Sequence, residues 1–173
     1  MRAFIAVDIP EEVKKRILEI QEKLPEFQGK KTEEENLHLT LKFLGETDNE
    51  KAEEIKNRLK EIKLKRFEAE IDSLGVFSPS FIKIIWLHLA GCEELQKEVD
   101  DKLAGLFVKE SRFMGHLTIA RVKNIKNKND FLQEAGKIKI EKMRFLADSF
   151  KLKKSVLTSE KPIYEDIAVF NLA

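Results

Sequence analysis

Apolar and polar positions along this chain repeat with two periods, and each change of period marks a new element. Arg2–Asp8 (RAFIAVD) is a short, mostly apolar run of strand character. Pro10 suits a first helical position and Glu11 and Glu12 complement the N-terminal dipole. Val13, Ile17, Ile20 and Leu24 recur at helical spacing, so a helix is predicted as far as Leu24, ahead of Pro25. Residues 25–35 are polar and predict a loop. Leu37–Leu44 alternates strictly, which predicts a half-buried strand with Leu37, Leu39, Leu41 and Phe43 towards the core. Thr47-x-x-Glu50 has the form of a capping box and opens a helix with Ala52, Ile55, Leu59 and Ile62 on its inner face. Phe67–Leu74 predicts a further strand, and Gly75 with Ser78-Pro79-Ser80 marks the turn after it.

The pattern then starts again. Phe81–Ala90 predicts an apolar strand broken by Gly91, with Trp86 packed between sheet and helix. A helix follows with Leu95, Val99, Leu103 and Leu106 on one face, and a loop from Lys109 to Gly115 leads to a strand that begins at His116. Lys123–Asn129 is a basic, Asn-rich loop, Asp130–Gly136 a short helix, and Ile138–Leu172 two or three strands with a turn near Ser159–Pro162. The two halves share an order of strand, helix, strand, helix, strand. Phe4 to His38 spans 34 positions, and so does Ile82 to His116, which predicts two structurally equivalent lobes. This order predicts an α+β fold with antiparallel or mixed sheets rather than a doubly wound parallel one. No Gly/Ser/Pro linker interrupts the chain, so residues 1–173 are expected to form one compact unit.

Composition narrows the class. With 42% hydrophobic and 36% charged residues the chain is globular with a highly charged surface. A net charge of +1 argues against a broad footprint on duplex nucleic acid. The charge is uneven, however: residues 121–154 carry 11 Lys/Arg against 4 Asp/Glu, a balance of +7 that leaves −6 elsewhere. That stretch is either a solvated face or a groove wall for a phosphate-bearing ligand. Enrichment in Lys and Glu with only 4 Gln resembles the composition of thermophile proteins. A lone Cys92, with neither His nor Cys nearby in sequence, fits a reducing compartment and is not a candidate nucleophile. The N-terminal run is too soon charged for a signal peptide, and Ile84–Leu87 is far too short to cross a bilayer. A cytoplasmic protein without membrane contact is expected.

Two of the three histidines lie in the same frame, His38-Leu39-Thr40-Leu41 and His116-Leu117-Thr118-Ile119, in a chain with only five threonines. On a strand, residues i and i+2 share a face, so each copy presents an imidazole beside a hydroxyl on a rigid element. Two imidazoles near neutral pKa suit displacement at a phosphodiester: one takes a proton from the attacking oxygen, and the other gives one to the leaving oxygen. The hydroxyls are suited to holding non-bridging phosphate oxygens. A zinc site would normally take three or four ligands, and no acidic residue repeats beside the histidines, so no metal and no cofactor are expected. Lys42 and Phe4 are further candidates for substrate contact. His88 has no Thr partner and reads as structural.

Asn36–Glu46 (NLHLTLKFLGE) and Phe113–Arg121 (FMGHLTIAR) resemble the two signature motifs of the two-histidine phosphoesterase superfamily, and most closely its RNA 2′,3′-cyclic phosphodiesterases, formerly called 2′–5′ RNA ligases. The resemblance extends to Arg2–Ala6, to residues 84–86 and to the C-terminal Ser155…Pro162-Ile-Tyr164. It implies a bilobal α+β fold with pseudo-twofold symmetry and a groove between the motifs. It also implies opening of a terminal RNA 2′,3′-cyclic phosphate to a 2′-phosphate, with His38 as proton donor, His116 as proton acceptor, and Thr40, Thr118 and Arg121 holding phosphate. The near-symmetric motifs do not by themselves choose which histidine is the acid. Partners implied are RNA 3′ ends bearing the cyclic phosphate, tRNA fragments or small cyclic nucleotides, met as a monomer. Alternatives are 2′–5′ phosphodiester hydrolysis or ligation at the same site, or a non-catalytic RNA-end binding module. Ideal alternation would turn Arg121 away from His116, so a bulge or a strand end is required. Gly115 stands where this family commonly has Pro, which is expected to loosen entry to the second motif strand.

Overall fold

The computed structural model describes residues 1–173. In chain order its elements are β1 (Arg2–Asp8), α1 (Glu11–Glu22), β2 (Gln28–Lys31), a 3-10 turn (Glu34–Asn36), β3 (His38–Glu46), α2 (Asn49–Leu59), β4 (Phe67–Val76), β5 (Ile84–Ala90), α3 (Glu93–Lys102), β6 (His116–Asn124), α4 (Lys128–Gly136), β7 (Met143–Ala147), β8 (Ser149–Leu157) and β9 (Pro162–Asn171). They form two sheets, ordered β3-β1-β8-β9 and β2-β6-β5-β4-β7, with every pairing antiparallel. The α+β class and the two-sheet architecture follow the sequence pattern.

Each half repeats one unit: a strand (β1 or β5), a helix (α1 or α3), then an antiparallel partner strand (β3 or β6) that begins at a motif histidine. The halves do not stay apart. β2, from the first half of the sequence, pairs with β6, while β8 and β9, from the second half, complete the sheet of β1 and β3. A single core of 36 buried residues runs through both sheets, including Ile5, Leu39 and Leu41 from one and Leu87, Leu117 and Ile119 from the other. The helices bury their apolar stripes on it: Val13, Ile17 and Ile20 of α1, Ile55 and Leu59 of α2, Leu95 and Val99 of α3.

Both motif strands carry a bulge at the same place. Against β1, Ile5 faces Lys42 and Ala6 faces Thr40, which leaves Leu41 as the extra residue. Against β5, Ile85 faces Ala120 and Trp86 faces Thr118, which leaves Ile119 extra. Each bulge therefore falls three residues after the histidine and inverts the alternation beyond it. The predicted pattern fails from there on. Phe43, expected in the core, is 74% exposed, and Lys42, expected on the His38 face, turns inward and is 3% exposed.

The remaining differences are local. Asp48, not Thr47, caps α2, accepting from the Lys51 backbone N–H at 2.8 Å, because Thr47 is itself bonded at the end of the preceding strand. The polar loop at 25–35 contains β2, a four-residue edge strand with no apolar alternation to announce it. Gly75 lies inside β4 rather than in the turn, since a Cβ there would come within 2.4 Å of Trp86 Cη2. Trp86 accordingly lies flat on the His116 face of its sheet, not between sheet and helix. Phe81 precedes β5 and is exposed. Lys123–Asn129 is divided between the end of β6 and the start of α4. The equal spacing of 34 does not mark equivalent residues: the register equates Phe4 with Ile84, and Asp8, opposite His38, with His88, opposite His116.

Candidate active site

His38 and His116 are the first residues of β3 and β6, and the same local device orients both rings. Nδ1 of His38 donates to the carbonyl oxygen of Asn36 at 2.8 Å, and Nδ1 of His116 donates to that of Met114 at 2.9 Å. A carbonyl only accepts, so the proton of each neutral ring sits on Nδ1 and Nε2 is the reactive nitrogen. Nε2 of His38 lies 2.9 Å from the Thr40 hydroxyl. Asn36 is itself tied to the start of β9, its side-chain amide donating to the Pro162 carbonyl oxygen at 3.0 Å.

The bulge at Ile119 turns Arg121 to the face that carries His116 and Thr118. The Arg121 charge reaches His38 and Tyr164, which belong to the opposite sheet, and disfavours the protonated imidazole and favours the ionised phenol. Around His38 stand the rings of Phe4 at 5.1 Å and Tyr164 at 5.1 Å, and the ring of Phe77 stands 5.0 Å from His116. Phe4 is buried beneath His38, Phe43 and Tyr164, so it supports the imidazole from below.

Electrostatics differ between the two histidines' surroundings. Burial pulls the His38 imidazole from 6.5 down to about 4; the bond to the Asn36 carbonyl and the charge of Asp8 oppose this, while Lys153 and Arg121 add to it. His38 is therefore neutral at pH 7 in these surroundings. Behind it, Lys151 and Lys153 bridge Asp8 and Asp166 with N–O distances of 2.6 to 3.0 Å. Burial pushes both carboxyls up, but bonds and charge from the two lysines outweigh it and hold them below the usual range. Burial also raises the Tyr164 phenol.

Lys42 leaves the site altogether. Its ammonium donates to Asp100 on α3 at 2.6 Å and to the Val108 carbonyl at 2.7 Å. His88 is bonded through Nδ1 to Asp72 at 2.8 Å. Burial pushes the Cys92 thiol up to about 12, so it is a packing residue. No group of three or more His, Cys, Asp and Glu side chains converges anywhere in the chain. No helix is long and apolar enough to cross a membrane. A depression of about 280 Å³ near Phe27 and Phe131 lies off the far end of β6 and contains neither histidine.

Sequence reasoning missed Phe43, Phe77 and the Asp8–Lys151–Lys153–Asp166 group. Phe43 had a signal, since it stands five residues after His38 as Arg121 stands five after His116; the others are assembled from distant segments.

Each of the two antiparallel sheets thus presents an imidazole and a hydroxyl from the start of one strand. Residues 7–86 and 90–164 match the model of the LigT-like phosphoesterases, and the chain belongs to that family. It is 41% identical over 172 residues to the RNA 2′,3′-cyclic phosphodiesterase of Methanocaldococcus jannaschii, covering 96% of this chain and 98% of that one. It is 35% identical to the Archaeoglobus fulgidus protein of the same name, covering 98% and 99%. Among solved structures it is similar to TT0787 of Thermus thermophilus (TM-score 0.83, 25% identity, 99% and 98% covered). It is also similar in fold to Escherichia coli LigT complexed with 3′-AMP (TM-score 0.80, 23% identity, 99% and 97% covered).

Proposed function

We propose that this protein hydrolyses the terminal 2′,3′-cyclic phosphate of RNA to a 2′-phosphate without a metal ion, working in the cytoplasm as a monomeric two-lobed unit spanning residues 1–173. The observation that carries this reading is the pair of H-x-T strands with carbonyl-locked Nδ1–H groups, which leave Nε2 of each ring as the reactive nitrogen, with Arg121 brought to the His116 face of β6 by a bulge. Full-length likeness to RNA 2′,3′-cyclic phosphodiesterases supports the substrate.

In this mechanism Nε2 of His116 takes a proton from water as the water oxygen bonds to phosphorus. The bond from phosphorus to the 3′-oxygen breaks, and Nε2–H of His38 protonates that oxygen. Thr40 and Thr118 donate to non-bridging oxygens, and Arg121 offsets their charge. The acid role requires His38 to gain a proton that its buried surroundings disfavour at pH 7. An anionic phosphate beside Thr40 favours the charged ring and raises its pKa on binding.

The decisive assay incubates an oligonucleotide ending in a 2′,3′-cyclic phosphate with the protein and EDTA, then analyses the end group. A 2′-phosphate product is expected, a 3′-phosphate would reverse the leaving oxygen, and an unchanged, tightly bound substrate would mean a binding module instead. NMR titration of His38 with and without a nucleoside 2′-phosphate checks the roles: its pKa is expected to rise by more than about one unit on binding, and an unmoved value would give the acid role to His116.

A further inference from the structure

His88 is the one histidine that the proposed reaction does not use, yet the sheet brings it beside one that it does. Its register partner on β6 is His116. One position along, the Leu89 N–H donates to the Gly115 carbonyl oxygen at 2.9 Å, so that pair is hydrogen-bonded and the next, His88 with His116, is not. In a non-hydrogen-bonded pair the Cα atoms stand about 4.5 Å apart and the side chains lie side by side on one face. That face is the outer one: Leu87, Leu89 and Leu117 point into the core, while His88, His116 and Thr118 are each half-buried.

A bulge in β4 equips His88 with a partner. The register moves from Ile71 opposite Leu89 to Ser73 opposite His88, which leaves Asp72 as the extra residue, and Nδ1 of His88 donates to its carboxylate at 2.8 Å. Asp72 also accepts from the Ser73 hydroxyl at 3.0 Å. Burial pushes the Asp72 carboxyl up, but the bonds from His88 and Ser73 outweigh it and hold it below the usual range, so it is ionised at neutral pH. A carboxylate only accepts, so the proton of the neutral His88 ring sits on Nδ1 and Nε2 is a bare acceptor, as in His116. β4 flanks β5 on the side away from β6, so the bond to Asp72 draws the Nδ1 edge of the ring away from His116 and leaves the Nε2 edge towards it. The next position along this face is taken by Trp86, opposite Thr118, with Phe77 packed against both Trp86 and His116. His88 is thus the polar side chain that β5 places beside His116.

We infer that His88 is a further catalytic residue: its Nε2 accepts one hydrogen of the attacking water while Nε2 of His116 accepts the other. The inference rests on the proposed function for the reaction and for the base role of His116, and it adds how the water is held. Two acceptors on one water leave only oxygen lone pairs to face phosphorus, so the nucleophile is oriented before the proton moves. His116 takes one proton as the water oxygen bonds to phosphorus, and the bond to the 3′-oxygen breaks as His38 protonates that oxygen. The second hydrogen stays on the water oxygen, bonded to His88, and leaves with the product as a phosphate hydroxyl. Asp72 is a positioning residue, since it fixes the His88 tautomer without touching the water. The counterpart of His88 beside His38 is Asp8, a carboxylate already engaged by Lys151 and Lys153, so the pair of bare imidazole nitrogens exists on the His116 side alone.

The test gives an oligonucleotide ending in a 2′,3′-cyclic phosphate to wild type, His88→Ala and Asp72→Ala, in buffer with and without methanol. Methanol has a single O–H, which His116 takes, and so gains nothing from His88. In His88→Ala, kcat for hydrolysis is expected to fall about tenfold, the scale of one oriented hydrogen bond, with KM moved less than about twofold. The ratio of methyl ester to 2′-phosphate product should rise by the same factor, whereas a merely structural defect lowers both products alike. Asp72→Ala frees the ring to carry its proton on Nε2 and should shift the ratio the same way, and nitrogen NMR of His88 reads that tautomer directly. His88→Leu, which keeps the bulk without the acceptor, replaces His88→Ala if circular dichroism shows the latter unfolded. An unchanged ratio overturns the inference; if wild type takes no methanol, a variant kcat within about twofold of wild type does so. A wild type that opens no cyclic phosphate would remove the proposed function and this role together, while an active wild type with an unmoved ratio removes the role alone.

Discussion

At the scale of the residue, what distinguishes the two motif histidines is their surroundings rather than their frame. Both rings are fixed through Nδ1 to a carbonyl two residues earlier, but burial, with Lys153 and Arg121 nearby, depresses His38 to about 4. His38→Ala and His116→Ala are each expected to lower kcat at least ~100-fold, the scale of a lost proton transfer. Circular dichroism should show the fold retained; wild-type rates in either variant would remove the two-histidine mechanism. The depressed pKa also predicts a stability change. Between about pH 4 and 6.5 the unfolded chain binds a proton at His38 that the folded chain does not. This contribution is therefore complete above 6.5 and is lost as pH falls towards 4. Thermal unfolding over that range should show a steeper loss on acidification in wild type than in His38→Gln, and parallel curves would contradict the burial argument.

At the scale of the element, the bulge in each motif strand decides which side chains share the face of its histidine. Without it, Arg121 would lie against the core and Lys42 would stand beside Thr40; with it, Arg121 and Phe43 come to the exposed face that carries the motif histidine and threonine. The alternation in the sequence was legible up to Thr40 and Thr118, and there it held. It could not reveal an inserted residue, because Leu41 and Ile119 are apolar and buried whether or not the strand bulges. The entry to β6 is tighter than the replacement of Pro by Gly led one to expect. The Leu89 N–H donates to the Gly115 carbonyl at 2.9 Å, and a Cβ on Gly115 would lie 2.2 Å from the Leu89 carbonyl oxygen. Gly115→Ala is therefore expected to cost about 1–3 kcal/mol through overpacking and to displace His116. A melting temperature and kcat both close to wild type would count against that.

At the scale of the whole molecule, a buried ion pair ties the two motif lobes together. Lys42 extends from β3, two residues beyond Thr40, to Asp100 on α3, and Asp100 also accepts from Gln96 at 2.9 Å and from the Glu110 backbone N–H at 2.9 Å. Burial pushes the Asp100 carboxyl up, but the Lys42 bond and the other donors outweigh it and hold it low, so the carboxylate stays charged. The same network anchors the loop that leads to His116. Lys42→Met leaves that carboxylate without its cation and is expected to destabilise by about 3–5 kcal/mol. Lys42→Met/Asp100→Leu should recover much of the loss, since an apolar pair of similar volume is often neutral. Chemical denaturation of both variants measures this, and a single variant as stable as wild type would show that the pair does not fasten the lobes.

By itself the sequence determined the order of the helices and the apolar strands, the α+β class, the faces of the helices and the repeated His-x-Thr frame, because each depends on spacing within one segment. Tertiary structure alone decided what lies between segments. It placed β2 in the second sheet and β8 and β9 in the first, formed both bulges, withdrew Lys42 into a buried pair with Asp100, and assembled the charged group behind His38. Such features depend on register and on charges that meet across dozens of residues, and periodicity along one strand carries no information about its partner. The local pattern thus gave the two imidazoles and their hydroxyls, while long-range pairing set the two sheets that carry them.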